Sequence, residues 1–92
     1  MDTQVKEMMQ EALDRGVSDP KAIGMFIEIR HCGGLGAAER MLGHSAKPYT
    51  AESIYAAVTQ SYPEDAQYSA PINGSLYRSR HQKVYEMLQS HM

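Results

Sequence analysis

Apolar positions recur at helical spacing in five stretches of this 92-residue chain, and nowhere do they alternate in the manner of a strand. Over residues 2–15, Val5, Met8, Met9, Ala12 and Leu13 fall at i, i+3, i+4, i+7 and i+8, which predicts a helix with one apolar stripe. Asp2 or Thr3 can cap its start, and Gly16 ends it by taking the left-handed conformation cheaply. Ser18-Asp19-Pro20 is the strongest start signal in the chain, with a capping carboxylate at Asp19 and a proline at the first helical position. The run from Ala22 to Ile29 is apolar around most of its circumference, as in a helix packed by several neighbours. Gly24 costs that helix about 1 kcal/mol against alanine, so close approach of another helix is expected there.

Gly33-Gly34 ends the second helix, at about residue 32. A short third helix is expected over residues 35–43, with Leu35, Ala38, Met41 and Leu42 inward and Gly43 at its close. Thr50 is a good cap for a fourth, over residues 50–61, in which Ala51, Ile54, Tyr55 and Val58 repeat at helical spacing. Residues 62–74 read as a long loop with two prolines and the turn signal Asn73-Gly74. Loops of that length tend to be functional or mobile. The fifth helix is expected over residues 75–89, with Tyr77, His81, Val84, Tyr85 and Leu88 inward and Arg78, Lys83 and Glu86 toward water. The pattern therefore predicts one all-α domain over residues 1–92, a compact bundle of about five short helices around the central apolar one.

Composition narrows the function classes. Apolar residues are 42% and charged residues 22%, which suits a globular domain rather than a disordered segment. No apolar run approaches the 18 residues or so of a membrane span, so no membrane partner is expected. Nine basic against eleven acidic residues, a net charge of −2, argues against a nucleic-acid partner. A helix-turn-helix over residues 19–43 is possible by length, but its second helix carries only Glu39 and Arg40 as charges. The single cysteine, Cys32, leaves the domain without an internal disulfide.

Candidate chemistry is sparse. His31 and Cys32 are adjacent and point about 100° apart on a helix, and His44, His81 and His91 are scattered, so no structural-zinc spacing is present and no metal or other cofactor is expected. Cys32 ends an apolar helix, where a small packing residue is the simpler reading. Gly33-Gly34-Leu35-Gly36 has neither a preceding strand nor a following Lys-Ser/Thr, so it reads as a tight turn between helices rather than a phosphate cradle. Glu28 is the one carboxyl on the central apolar helix, and so the one with a plausible raised pKa. It reads either as a functional acid or as a polar face paired with an arginine, and no second carboxyl across a cleft is visible. The loop tyrosines Tyr49, Tyr62 and Tyr68, with Arg78, Arg80 and His81, would make a polar-aromatic surface suited to sugars or peptides. The alternative is that they fold back as lids on a small core.

The stretch from Val17 to Gly34, with its Asp-Pro start, apolar helix, acidic residue, short polar turn and Gly-Gly, combines with Tyr77-Arg78-Ser79-Arg80 through Lys83-Val84-Tyr85. In this form the chain resembles the C-terminal cell-wall-binding modules of phage endolysins and cell-wall hydrolases from Gram-positive hosts. More loosely, it is similar to the C-terminal half of lysozyme-like and chitosanase-like folds, whose helices wall a glycan cleft. The resemblance implies a binding half without the acid–base pair, whose partners are bacterial peptidoglycan and a tethered catalytic domain. It also implies a location in the host cytoplasm until lysis and at the cell wall afterwards. Tethering of this kind acts by raising the local concentration of the catalytic domain into the mM range.

The function expected from these readings is peptidoglycan binding, without enzymatic activity of the module's own. The expected contact surface is Glu28, Arg30 and His31 at the end of the central helix, with Tyr49, Tyr77, Arg78 and Arg80. Glu28 would accept hydrogen bonds from amides, the arginines would pair with stem-peptide carboxylates, and the tyrosines would stack. Exposed tyrosines also leave room for a homodimer. Two alternatives stand beside this: a small protein-interaction module, such as a phage regulator or inhibitor, suggested by seven methionines, and a compact glycosidase using Glu28 as general acid.

Overall fold

Helix boundaries follow the capping chemistry closely in the computed structural model, which describes residues 3–61 and 73–90. Helix α1 spans Thr3–Asp14, α2 Pro20–Gly43, α3 Ala51–Ser61 and α4 Asn73–Ser90. No strand occurs among the described residues. The end of α1 is a left-handed glycine cap. Gly16 has φ 85°, its N–H donates to Leu13 O at 3.1 Å, and the Val17 N–H donates to Ala12 O at 2.9 Å. Asp19 caps α2, its Oδ2 accepting from the Ala22 N–H at 3.0 Å with Pro20 in the first turn. Thr50 caps α3 reciprocally: the Ser53 N–H donates to Thr50 Oγ1 at 3.0 Å, and the Thr50 N–H donates to Ser53 Oγ at 2.9 Å.

The expected second and third helices join as one element, α2, bent at Gly34. Gly34 adopts φ 85° and ψ 173°, a conformation essentially reserved for glycine, so the chain changes direction there and then resumes the helix. The count of five thus becomes four among the described residues. The Asn73-Gly74 pair, expected as a turn, belongs instead to the first turn of α4, where Gly74 is buried. The remainder of the expected loop, with Tyr62 and Tyr68, lies outside the described residues.

Helix α2 packs against α1, α3 and α4, and α3 also packs against α4. The core is centred on Met25, Phe26 and Ile29 of α2, joined by Met41 beyond the bend and by Ile54 and Val58 of α3. Burying each of these large side chains stabilises the fold by about 1.5–3 kcal/mol. From α4, Tyr77, Val84, Tyr85 and Leu88 pack against this cluster. Tyr55 and Tyr85 stack with ring centroids 4.3 Å apart and planes 7° from parallel, joining α3 to α4. The stripe on α1 is narrower than its sequence suggests. Met8 and Ala12 are buried, whereas Met9 and Leu13 are exposed.

The close approach expected at Gly24 is present. A Cβ there would lie 2.9 Å from Leu88 Cδ2 and 3.1 Å from Cδ1, so glycine lets α4 settle against α2. At the next residue, Gln89 connects three helices. Its Oε1 accepts from Lys21 Nζ at 3.0 Å, and its Nε2 donates to Tyr85 Oη at 3.0 Å and to the Glu52 carboxylate. The hydrogen bond from Gln89 holds the Glu52 carboxyl below its ordinary value. This packing fixes the register of α4 on α2, and with it the site at the middle of α4.

Candidate functional site

Glu28 and Cys32 are one helical turn apart on α2 and so share a face. Arg80 and His81 approach that face from α4. The Glu28 carboxylate is 7% exposed and His81 is fully buried. Arg80 Nε donates to both Glu28 oxygens, at 3.1 Å to Oε1 and 2.9 Å to Oε2. His81 Nδ1 lies 3.1 Å from Oε2, and the Cys32 thiol donates to the same oxygen at 3.1 Å. A carboxylate withdrawn from water needs such compensation, because an unpaired buried charge is strongly unfavourable.

Two opposed effects set the charge state of Glu28. Burial raises its pKa. The hydrogen bonds with His81 and Cys32, and attraction to His81 and Arg80, outweigh burial and hold the carboxyl below its ordinary value. Burial and the neighbouring Glu28 carboxylate act together on Cys32, whose thiol is pushed up to about 12. The thiol is therefore a protonated donor at neutral pH, not a nucleophile. Glu28 raises Arg80 above its already high value in turn.

Beside this network an open groove of about 720 Å³ runs between α2 and α4. His31 and Cys32 line it from α2, and Leu76, Tyr77, Ser79, Arg80, Lys83 and Val84 line it from α4. Arg80 has two faces in this arrangement: its Nε holds Glu28, while the side chain as a whole is 54% exposed. Leu76, Arg80, Lys83 and Met87 recur at i, i+4, i+7 and i+11, so they share one face of α4, and all four are exposed.

The structure gathers some of the residues expected at the contact surface and separates others. His31, Tyr77 and Arg80 meet in the groove, with Glu28 buried beside it as the partner of Arg80 and His81. Glu28 thus matches the paired-arginine reading. Arg30 points to the other side of α2, where its Nε meets Glu11 Oε1 of α1 at 3.0 Å, and it does not line the groove. Tyr49 packs against the core as the lid reading anticipates, with Lys47 Nζ 5.7 Å above its ring. Arg78 is half-buried rather than turned fully to water, and it is not among the residues that line the groove.

The convergence of Cys32 and His81 on Glu28 was not read from the sequence. Adjacent His31 and Cys32 drew attention to each other, whereas the pair that matters is Glu28 and Cys32, spaced i and i+4. His81 lies 53 positions from Glu28 and joins them only through the packing of α4.

Comparison with protein-family models, with curated proteins and with solved structures finds no match to this chain.

Proposed function

We propose that this protein is a small helical binding module, and that the groove between α2 and α4 receives anionic, ring-bearing segments of bacterial peptidoglycan. The observation that carries the reading is the groove lining, which brings Arg80, Lys83 and His31 into one groove with Tyr77. Arginine and lysine pair with the carboxylates of stem peptides, and a half-buried tyrosine ring offers a stacking face to a sugar. Glu28 supports the reading indirectly. It orients the Arg80 guanidinium from below, so that the cation is positioned before any ligand arrives. A tethered catalytic domain would gain local concentration at its polymer from even weak binding here.

The same geometry argues against Glu28 as a general acid. A general acid must hold its proton near neutral pH, and Glu28 is ionised and occupied by three donors. The protein-interaction reading has a specific observation in its favour. Leu76 and Met87 are exposed at the two ends of the cationic stripe on α4, an arrangement that an acidic amphipathic segment would complement.

Sedimentation with purified sacculi tests the proposal. The wild-type protein is expected to pellet with Gram-positive walls in a salt-sensitive manner, and Lys83→Glu to remain in the supernatant with an unchanged far-ultraviolet spectrum. Failure of the wild type to pellet with any wall, together with co-purification of one defined acidic protein, would favour the interaction module.

A further inference from the structure

We propose that Glu28, Cys32 and His81 form a divalent transition-metal site of zinc type at the floor of the groove. The three side chains supply one oxygen, one sulfur and one nitrogen, and their ligand atoms all lie within 4.8 Å of one another. In a tetrahedral zinc centre, with bonds of about 2.0–2.3 Å, donor atoms stand roughly 3.3–3.7 Å apart. Glu28 Oε2 already lies 3.1 Å from both Cys32 Sγ and His81 Nδ1. On the two Oε2 pairs an ion needs the donors to part by a few tenths of an ångström, and the third pair, Cys32 Sγ and His81 Nδ1, lies within 4.8 Å.

The chemistry balances at the same point. The thiol proton that now bonds Oε2 is released to solvent as the Cys32 sulfur binds the ion. His81 contributes a neutral imidazole through Nδ1, whose proton moves to Nε2 by a change of tautomer, and Glu28 contributes its carboxylate. One thiolate and one carboxylate offset the charge of a dication, and the remaining positive charge is that of Arg80, whose side chain is 54% exposed and solvated from the groove. Arg80 Nε, 2.9 Å from Oε2 and 3.1 Å from Oε1, yields Oε2 to the ion and stays on Oε1, orienting the carboxylate as an outer partner does in known metal sites. Mixed sulfur, nitrogen and oxygen donors select zinc or its analogues over magnesium and calcium. Three protein ligands leave a fourth position, and Cys32 and Arg80 both line the groove, so that position is reached from the groove. The site stands independently of the polymer assigned to the groove.

Cobalt(II) titration of the chelator-stripped protein, anaerobically and with a non-thiol reductant, tests the site in the absence of any wall material. One equivalent of Co²⁺ is expected to give a near-ultraviolet thiolate-to-cobalt charge-transfer band and the intense visible absorption of a tetrahedral ion, both bleached by Zn²⁺. Cys32→Ser is expected to abolish the charge-transfer band and to weaken Zn²⁺ binding at least ~10-fold, as even loss of an outer partner does in established sites. Glu28→Gln is expected to weaken it likewise, while His44→Ala, in an exposed loop, leaves affinity and spectrum unchanged. Far-ultraviolet circular dichroism identifies any variant that fails to fold, and the wild-type spectrum with Cys32→Ser then decides. Weak six-coordinate absorption in the wild type, no charge-transfer band at saturating Co²⁺, or equal Zn²⁺ affinity in folded Cys32→Ser would overturn the proposal.

Discussion

Glu28 and Arg80 lie 52 positions apart and meet through one donor nitrogen shared between two carboxylate oxygens, at 3.1 and 2.9 Å. The contact joins α2 to α4 and gives a single cation two tasks. One edge of Arg80 neutralises a buried acid, and the rest of the side chain lines a groove open to solvent. The stability of the helix pair and the electrostatics of the groove are therefore linked through one residue.

Glu28→Gln keeps the shape of the side chain and removes its charge. Loss of charge-assisted hydrogen bonds from Arg80 and His81 is expected to destabilise the fold by about 1–3 kcal/mol, measured by urea denaturation at pH 7 with chelator present. The pH dependence has a definite sign. The folded carboxyl titrates below its ordinary value of 4.5, so its contribution is fully present above the unfolded pKa and is lost as pH falls through the folded one. The stability difference between wild type and Glu28→Gln should therefore narrow below about pH 4.5. A difference that stays constant down to pH 3 would mean that Glu28 is not held ionised by its neighbours.

The bend in α2 separates two glycines that look alike in sequence. A Cβ meets nothing within 4 Å at either Gly34 or Gly36, so space does not distinguish them. Backbone conformation does. Gly34→Ala forces a side chain into the φ 85° region and should cost about 1–3 kcal/mol. Gly36→Ala meets no such strain and should stabilise the second segment of α2 by up to about 1 kcal/mol. Thermal unfolding of the two variants gives shifts of opposite sign if the bend is placed correctly.

At Gly24 two effects oppose each other. Alanine favours the helix by about 1 kcal/mol, but its Cβ would press on the end of the Leu88 side chain at 2.9 Å. Leucine ends are flexible, so Gly24→Ala should change stability by less than about 1 kcal/mol. Gly24→Val adds bulk that Leu88 cannot clear and should destabilise by about 1–3 kcal/mol. Pairing Gly24→Val with Leu88→Ala should recover part of that loss, and chemical denaturation of the double-mutant cycle measures the recovery.

Local chemistry made much of this architecture legible. Asp19, Thr50 and Gly16 each act as their sequence context implies, because a cap or a left-handed glycine needs only its own few neighbours. The inward positions of His81, Tyr85 and Leu88 followed from helical periodicity in the same way. The face of α1 was harder to read, since an apolar stripe does not say how much of it a neighbour will cover, and Met9 and Leu13 remain in solvent. The site lay further from reach. Glu28 stood out as the acid of the central helix, open to a functional role or to pairing with an arginine, and periodicity could not choose between these or between Arg80 and Arg30, which α1 engages through Glu11. The placement of Cys32 and His81 on one carboxylate oxygen depends on the axial register of α4, and that register is set by contacts such as Gly24 with Leu88 rather than by any local pattern.

The groove is tested most directly by amide chemical-shift mapping of the labelled protein with a soluble peptidoglycan fragment carrying free stem-peptide carboxylates. Binding as proposed predicts saturable shifts at His31, Tyr77, Arg80 and Lys83, weakened by salt and absent in Lys83→Glu. An unchanged spectrum at millimolar ligand, or shifts confined to the exposed Met9 and Leu13 face of α1, would contradict it.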